Sequence, residues 1–127
     1  MAKTNKLVAP FLKWVGGKRQ LMPSIVEHLP ENIKDYKYVE PFIGGGAVLF
    51  NLQPKNAIIN DFNSELINVY QVIKNNLDGL IIDLKKHKNE AEYFYKIRGL
   101  DRNGQFKKLT AVQRASRVIF LDRKSIV

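Results

Sequence analysis

Gly44, Gly45 and Gly46 stand in a row between a short aromatic, β-branched stretch, Tyr36 to Glu40, and an apolar stretch that begins at Ala47. Glycine lets the backbone pass close to a ligand with no Cβ in the way. In open α/β sheets the crevice between a strand end and the next helix start is where ligands bind. The N–H groups of a helix start favour a carboxylate or phosphate there. Asp61 follows 17 residues after Gly44, at the end of the apolar stretch Ala57 to Asn60. A carboxylate at that position can accept hydrogen bonds from two ribose hydroxyls. It reads equally well as the cap of the following helix.

Two common phosphate motifs are absent. The dinucleotide fingerprint G-x-G-x-x-G needs glycine at 49, where the chain has Leu49. The P-loop needs glycine at 12, ahead of Gly17-Lys18, where the chain has Leu12. A glycine turn, a ribose acid and no phosphate loop favour an adenosine ligand without a pyrophosphate. S-adenosylmethionine is the leading candidate.

The elements that must position these residues follow from spacing. Lys18 to Leu29 reads as a helix, with Pro23 in its first turn and Ser24/Glu27 at capping-box spacing. Tyr36 to Glu40 reads as a strand, Ala47 to Leu52 as a buried helix, and Ala57 to Asn60 as a second, buried parallel strand. A helix capped by Asn63 or Ser64 carries Leu66, Val69, Tyr70, Ile73 and Leu77 on one face. Leu80, Ile81 and Leu84 extend that pattern, with Gly79 as a break. Tyr93, Phe94 and Ile97 mark a short helix ending at Gly99. Thr110 and Gln113 form a capping box for a last helix that buries Ala111, Ala115, Val118 and Ile119. The first ten residues read as loose. The whole reads as the opening of a doubly wound α/β sheet followed by a helical insertion.

The chain has 127 residues, enough for one core. There is no cysteine, so disulfides and thiolate metal sites are excluded. No apolar run reaches membrane-spanning length, and no signal-peptide core follows the N-terminus. These features set a cytoplasmic location as the expectation. Net charge is +9, distributed as +4 over residues 1–37, −3 over 38–84 and +8 over 85–127. Basic flanks around an acidic centre point to phosphate-facing ends.

Phe11-Leu12-Lys13-Trp14-Val15-Gly16-Gly17-Lys18 resembles the F-x-K-W-x-G-G-K segment of Dam-type (D12 class) DNA adenine-N6 methyltransferases. Glu40-Pro41-Phe42-Ile43-Gly44-Gly45-Gly46 is similar to that family's E-P-F-x-G-x-G turn, and Asn60-Asp61-Phe62-Asn63 to its D-x-N strand end. The resemblance runs from residue 8 to about residue 121.

It implies a Rossmann-like S-adenosylmethionine-dependent methyltransferase fold with an incomplete sheet. Residues 1–84 would form the cofactor-binding part and residues 85–127 the start of a helical DNA target-recognition domain. It further implies that Trp14 and Lys18 enclose the cofactor, with Lys18 at its methionine end. Phe42, Gly44 and Gly46 would line its path, Asp61 would hold the ribose and Phe62 would pack near the adenine. Lys13 would reach double-stranded DNA, with GATC as the implied target. The plainer rivals are that Trp14 anchors the first helix, Tyr93 and Phe94 are core, Lys107 and Lys108 are solvated, and Glu40 orients the glycine turn. His28 and His87 receive no role.

The family's [D/N/S]-P-P-[Y/F/W] motif binds the amine of a flipped-out adenine. The five prolines here stand at 10, 23, 30, 41 and 54, no two adjacent, so that motif is absent. Similarity also lapses at Asp122. The expectation is an N-terminal portion, inactive alone. The alternative is a non-catalytic DNA-binding or regulatory module on the same fold. Two strands leave apolar sheet edges, so self-association or a complementary chain is expected. Light scattering at high concentration checks this: a mass above one chain is expected, and a monodisperse monomer would sink it.

Overall fold

The computed structural model describes residues 4–124. The tail 125–127, where the resemblance has already lapsed, lies outside the described residues. The chain forms a mixed helical structure with a small two-stranded parallel sheet, and it divides into two compact units, residues 1–62 and 63–127.

In the first unit, α1 (Met22–Glu27) is followed by β1 (Tyr38–Glu40), α2 (Ala47–Leu52) and β2 (Ala57–Ile59). The strands pair in parallel, with Tyr38 opposite Ala57, Val39 opposite Ile58 and Glu40 opposite Ile59. Parallel pairing requires a crossover, and α2 with its flanking turns supplies it. Met22, Val48 and Leu52 form the core, with Ile25, Leu29, Ile33, Tyr38 and Ala47 packed around them.

Several local expectations change here. The first helix is shorter than Lys18 to Leu29: a 3₁₀ turn over Arg19–Leu21 runs into α1. Pro23 sits at the start of α1, which places Ser24 inside the helix, and no side chain caps it. The Ser24/Glu27 box therefore does not form. β1 starts at Tyr38 because a 3₁₀ turn over Ile33–Asp35 takes the Tyr36 N–H onto the Ile33 carbonyl at 3.2 Å. β2 is not buried: Ala57 and Ile58 are exposed, and Val39, opposite Ile58, is exposed too. Residues along a strand alternate faces, so Tyr38 and Glu40 turn one way and Val39 the other. The N-terminal segment is not loose at Asn5, whose backbone N–H and carbonyl both bond to the Gln53 side chain, at 2.9 and 2.8 Å. Gln53 itself adopts φ 48° at the end of α2.

The second unit holds α3 (Ser64–Asn75), α4 (Leu77–Leu84), α5 (Ala91–Arg98) and α6 (Ala111–Lys124), with α3, α4 and α5 all packed on α6. Asn63 caps α3 by accepting from the Glu65 and Leu66 N–H groups. The break before α4 falls at Asn76, which caps that helix through the Gly79 N–H; Gly79 lies inside α4 and does not interrupt it. The Thr110/Gln113 box forms reciprocally, with distances of 2.9 and 3.1 Å. On α6 the buried residues are Ala115, Ser116 and Phe120, while Ala111 is exposed. The shift follows from three helices sharing α6, which bury a face centred on Ser116.

His87 organises that face. Its Nδ1 is 2.8 Å from the Tyr93 hydroxyl and its Nε2 is 2.7 Å from the Ser116 hydroxyl. Its ring stacks on Phe120 at 4.5 Å. Burial favours the neutral imidazole and lowers its pKa from the usual 6.5, opposed by Asp83, whose Oδ2 is 3.9 Å from Nε2. Because the folded pKa is depressed, this contribution to stability is present above pH 6.5 and lost as pH falls through the folded value. Urea unfolding across that range should show the chain losing stability toward acid. His87→Phe should be less stable at neutral pH, because it strands the Ser116 hydroxyl, and flatter in its pH dependence below neutrality. An unchanged acid slope in the variant would assign the loss to carboxylates.

Candidate functional site

The chain leaves β1 at the buried Glu40 and enters the glycine turn. The Ile43 N–H bonds to the Asn60 carbonyl at 2.8 Å, and the Asn60 N–H to the Glu40 carbonyl at 2.8 Å. The strand ladder thus extends past both strand ends and holds the turn against the end of β2. Gly44 and Gly46 have φ of 54° and 81°, the left-handed region where a Cβ is strained. Gly46 is also the residue from which α2 starts.

Asp61 meets the turn directly. Its Oδ2 accepts the Gly44 N–H at 3.0 Å. Asn63, not Asp61, caps α3. The two readings of Asp61 are therefore separated: its carboxylate faces the glycine turn.

Trp14 closes the turn from the other side. A Cβ placed on Gly44 would lie 3.6 Å from Trp14 Cδ1, and one on Gly45 would lie 3.2 Å from Trp14 Cβ and 3.4 Å from the Leu12 carbonyl. Trp14 is half-buried, and the Gly17 N–H returns to its carbonyl at 3.3 Å. Lys18 then donates to the Phe42 carbonyl at 3.0 Å and to Glu40 Oε1 at 3.4 Å. The other Glu40 oxygen accepts the Tyr38 hydroxyl at 2.6 Å. Burial first, then the hydrogen bond and charge of Glu40, push the Tyr38 phenol well above its usual 10.

Trp14, Lys18, Gly44, Gly46 and Asp61 therefore converge on one turn. Phe42 and Phe62 lie beside it in sequence with 69% and 96% of their surface exposed. Lys13 is exposed on the same N-terminal segment. Tyr38 is a participant that sequence reasoning missed. Its signal was its place two residues before Glu40 on one strand, which puts both side chains on one face. Among the described residues no group of histidine and acid side chains is arranged to hold a metal ion, and no helix is long and apolar enough to cross a membrane.

This small parallel sheet with its helices and glycine turn is compatible with a methyltransferase domain. The sequence pattern of the D12 class N6 adenine-specific DNA methyltransferases matches residues 14–125. The chain belongs to that family. It is 47% identical over 126 residues to the Type II methyltransferase M1.LlaDCHI of Lactococcus lactis subsp. cremoris, covering 97% of this chain and 44% of that protein. It is 41% identical over 132 residues to the Type II methyltransferase M.MjaIII of Methanocaldococcus jannaschii, covering 91% of this chain and 45% of that protein. A DNA adenine methylase of Haemophilus influenzae is 40% identical over 91 residues, covering 68% and 31%. The chain spans less than half the length of these relatives.

The packing of Trp14 on the turn gives a direct test. Trp14 is the single tryptophan of the chain, so its fluorescence reports this contact alone. Gly45→Ala should shift the emission maximum, because Trp14 must move by a few tenths of an ångström. Gly99→Ala, where a Cβ meets nothing within 4 Å, should leave it unchanged. Equal spectra for both variants would place Trp14 off the turn.

Proposed function

We propose that this chain is the S-adenosylmethionine-binding portion, with part of the DNA-binding portion, of a DNA adenine-N6 methyltransferase. Residues 1–84 serve the cofactor in a Rossmann-like arrangement. Residues 85–127 begin the part that reads double-stranded DNA. The observation that carries this reading is the Asp61–Gly44 hydrogen bond, which sets an acid from the end of one parallel strand against the glycine turn that ends the other.

The residues fit the cofactor. The glycine turn leaves a cradle that a Cβ at Gly44 or Gly45 would enter, walled by Trp14. Asp61 would take the ribose hydroxyls. Phe62 and Phe42, exposed beside the turn, would cover the adenine and the methionine chain. Lys18, anchored to Glu40 and the Phe42 carbonyl, would stand at the methionine end. When bound, S-adenosylmethionine supplies an electrophilic methyl group. This chain's part is to bind it, hold its direction and screen it from water. The sequence contains no adjacent prolines and hence no [D/N/S]-P-P-[Y/F/W] motif. Lys13 and the basic residues after 85 would contact DNA phosphate. The exposed face bearing Val39 and Ile58 supports the need for a second chain segment, from a copy or a complementary chain, to cover it.

Calorimetric titration with S-adenosylmethionine, alone and with a duplex containing GATC, tests the reading. Binding by the chain is expected. Asp61→Ala should lower cofactor affinity at least tenfold while the far-ultraviolet circular dichroism stays unchanged. Lys13→Ala should weaken duplex binding and spare cofactor binding. Full cofactor affinity in a folded Asp61→Ala variant would remove the ribose role. Duplex binding without any cofactor binding would favour a non-catalytic DNA-binding module.

A further inference from the structure

A cavity of about 420 Å³ opens between α5 and the C-terminal half of α6, entirely within the second unit. Its volume is in the range that takes a small ligand. Phe94, Tyr95 and Phe120 give it an aromatic wall, and Lys88, Arg98 and Lys124 line it with positive charge. Glu90 is the single acid among the lining residues. None of the three cations has an ion-pair partner among the described residues.

The three aromatic residues of α5 divide their work. Tyr93 bonds His87, and Phe94 packs against Phe120 with the rings tilted at 55° and 6.1 Å between their centres. Both belong to the packing of the helices. Tyr95 is 64% exposed, meets Phe94 edge-to-face at 5.5 Å, and its ring has no further role in the core. An exposed tyrosine beside three cations and a single acid matches a ligand with a flat π-face and a negative charge. A bare anion would leave the aromatic wall unused, and an apolar ligand would leave three cations against a dry surface.

We propose that this cavity receives one unpaired nucleotide of a DNA strand, with its base on the Phe94–Tyr95 wall and its phosphate among Lys88, Arg98 and Lys124. Bases in an intact duplex have their faces covered by their neighbours, so the occupant is an unpaired or single-stranded nucleotide. The proposal rests on the nucleic-acid part of the reading above and shares no residue with the glycine turn. It predicts that the chain binds single-stranded DNA without S-adenosylmethionine.

Fluorescence anisotropy of a labelled oligothymidylate, with no cofactor present, tests it. Tyr95→Ala should weaken binding about tenfold or more, whereas Tyr95→Phe, which keeps the ring, should bind as the parent does. Arg98→Ala should reduce the slope of log affinity against log salt by about 0.7, the loss of one phosphate contact. Tyr95→Ala with parental affinity, in a chain of unchanged circular dichroism, would overturn the proposal. So would inorganic phosphate displacing the strand as well as thymidine monophosphate does, which would make the cavity a simple anion site. A GATC duplex and S-adenosylmethionine titrated on the same sample separate the two readings. If both bind and the oligothymidylate does not, this inference fails and the larger one stands. If the oligothymidylate binds and neither of the others does, the converse holds.

Discussion

The first unit depends on one contact: the Gly44 N–H donated to the Asp61 carboxylate. The glycine turn has three residues with little intrinsic preference for any conformation, two of them at positive φ. Such a segment gains nothing from side-chain packing and loses much conformational entropy on ordering. It holds its shape because it is tied at both margins. The ladder from Glu40 through Asn60 to Ile43 fixes the turn's entry, and Asp61 fixes its middle. Only a parallel register that puts Glu40 opposite Ile59 brings Asp61 level with Gly44. A slip of one residue would turn Asp61 to the other face. Register, turn and acid are thus one constraint, and the 17-residue spacing is its trace in the sequence.

The second unit sets a polar centre among the buried apolar residues Leu66, Val69, Leu80 and Ala115. Ser116 is fully buried on α6 and would cost stability without a partner. His87 supplies one, and Tyr93 occupies the other ring nitrogen. One imidazole thereby joins α5 and α6 to the turn after α4, with Phe120 stacked beneath it. Nearby, Arg117 donates to the carbonyls of Ile97 and Arg98 at 3.0 and 2.8 Å, which closes the exposed end of α5. These polar contacts sit within an apolar core of Leu66, Val69, Val72, Leu80 and Ala115.

What the sequence made legible follows a physical division. Some features set by neighbours along the chain were readable, the Thr110/Gln113 box, the glycine turn and the helix over Ala47–Leu52 among them, while the Ser24/Glu27 box, equally local, did not form. Features set by what lies across a gap were not readable. Ala57 to Asn60 reads as buried because it is apolar, yet burial needs a covering layer, and none of the described residues covers Ile58 fully. His87 has no local pattern, because its partners come from residues 6 and 29 positions away. Asp61 could not be decided from sequence for the same reason. A helix cap is local, and the contact with Gly44 is not. Asn63, two residues on, took the cap because an Asx side chain at that position reaches the Glu65 and Leu66 N–H groups directly.

The electrostatics around the turn then limit what it can hold. α2 has only six residues, so few aligned peptides contribute to a positive field at Gly46. A long helix at this point would draw a pyrophosphate, and the missing fingerprint glycine at position 49 agrees with its absence. Lys18 is engaged by Glu40 and the Phe42 carbonyl, and the Tyr38 hydroxyl takes the other Glu40 oxygen. The Lys18–Glu40 pair is close to neutral as seen from the turn. The acid that faces the turn is Asp61. A ligand that carries a polyphosphate would meet Asp61 with no net positive charge to offset it. A ligand that offers hydroxyls and a positive centre would meet a matching surface. On the proposed reading, charge at the turn would disfavour polyphosphate cofactors before shape chose among the rest.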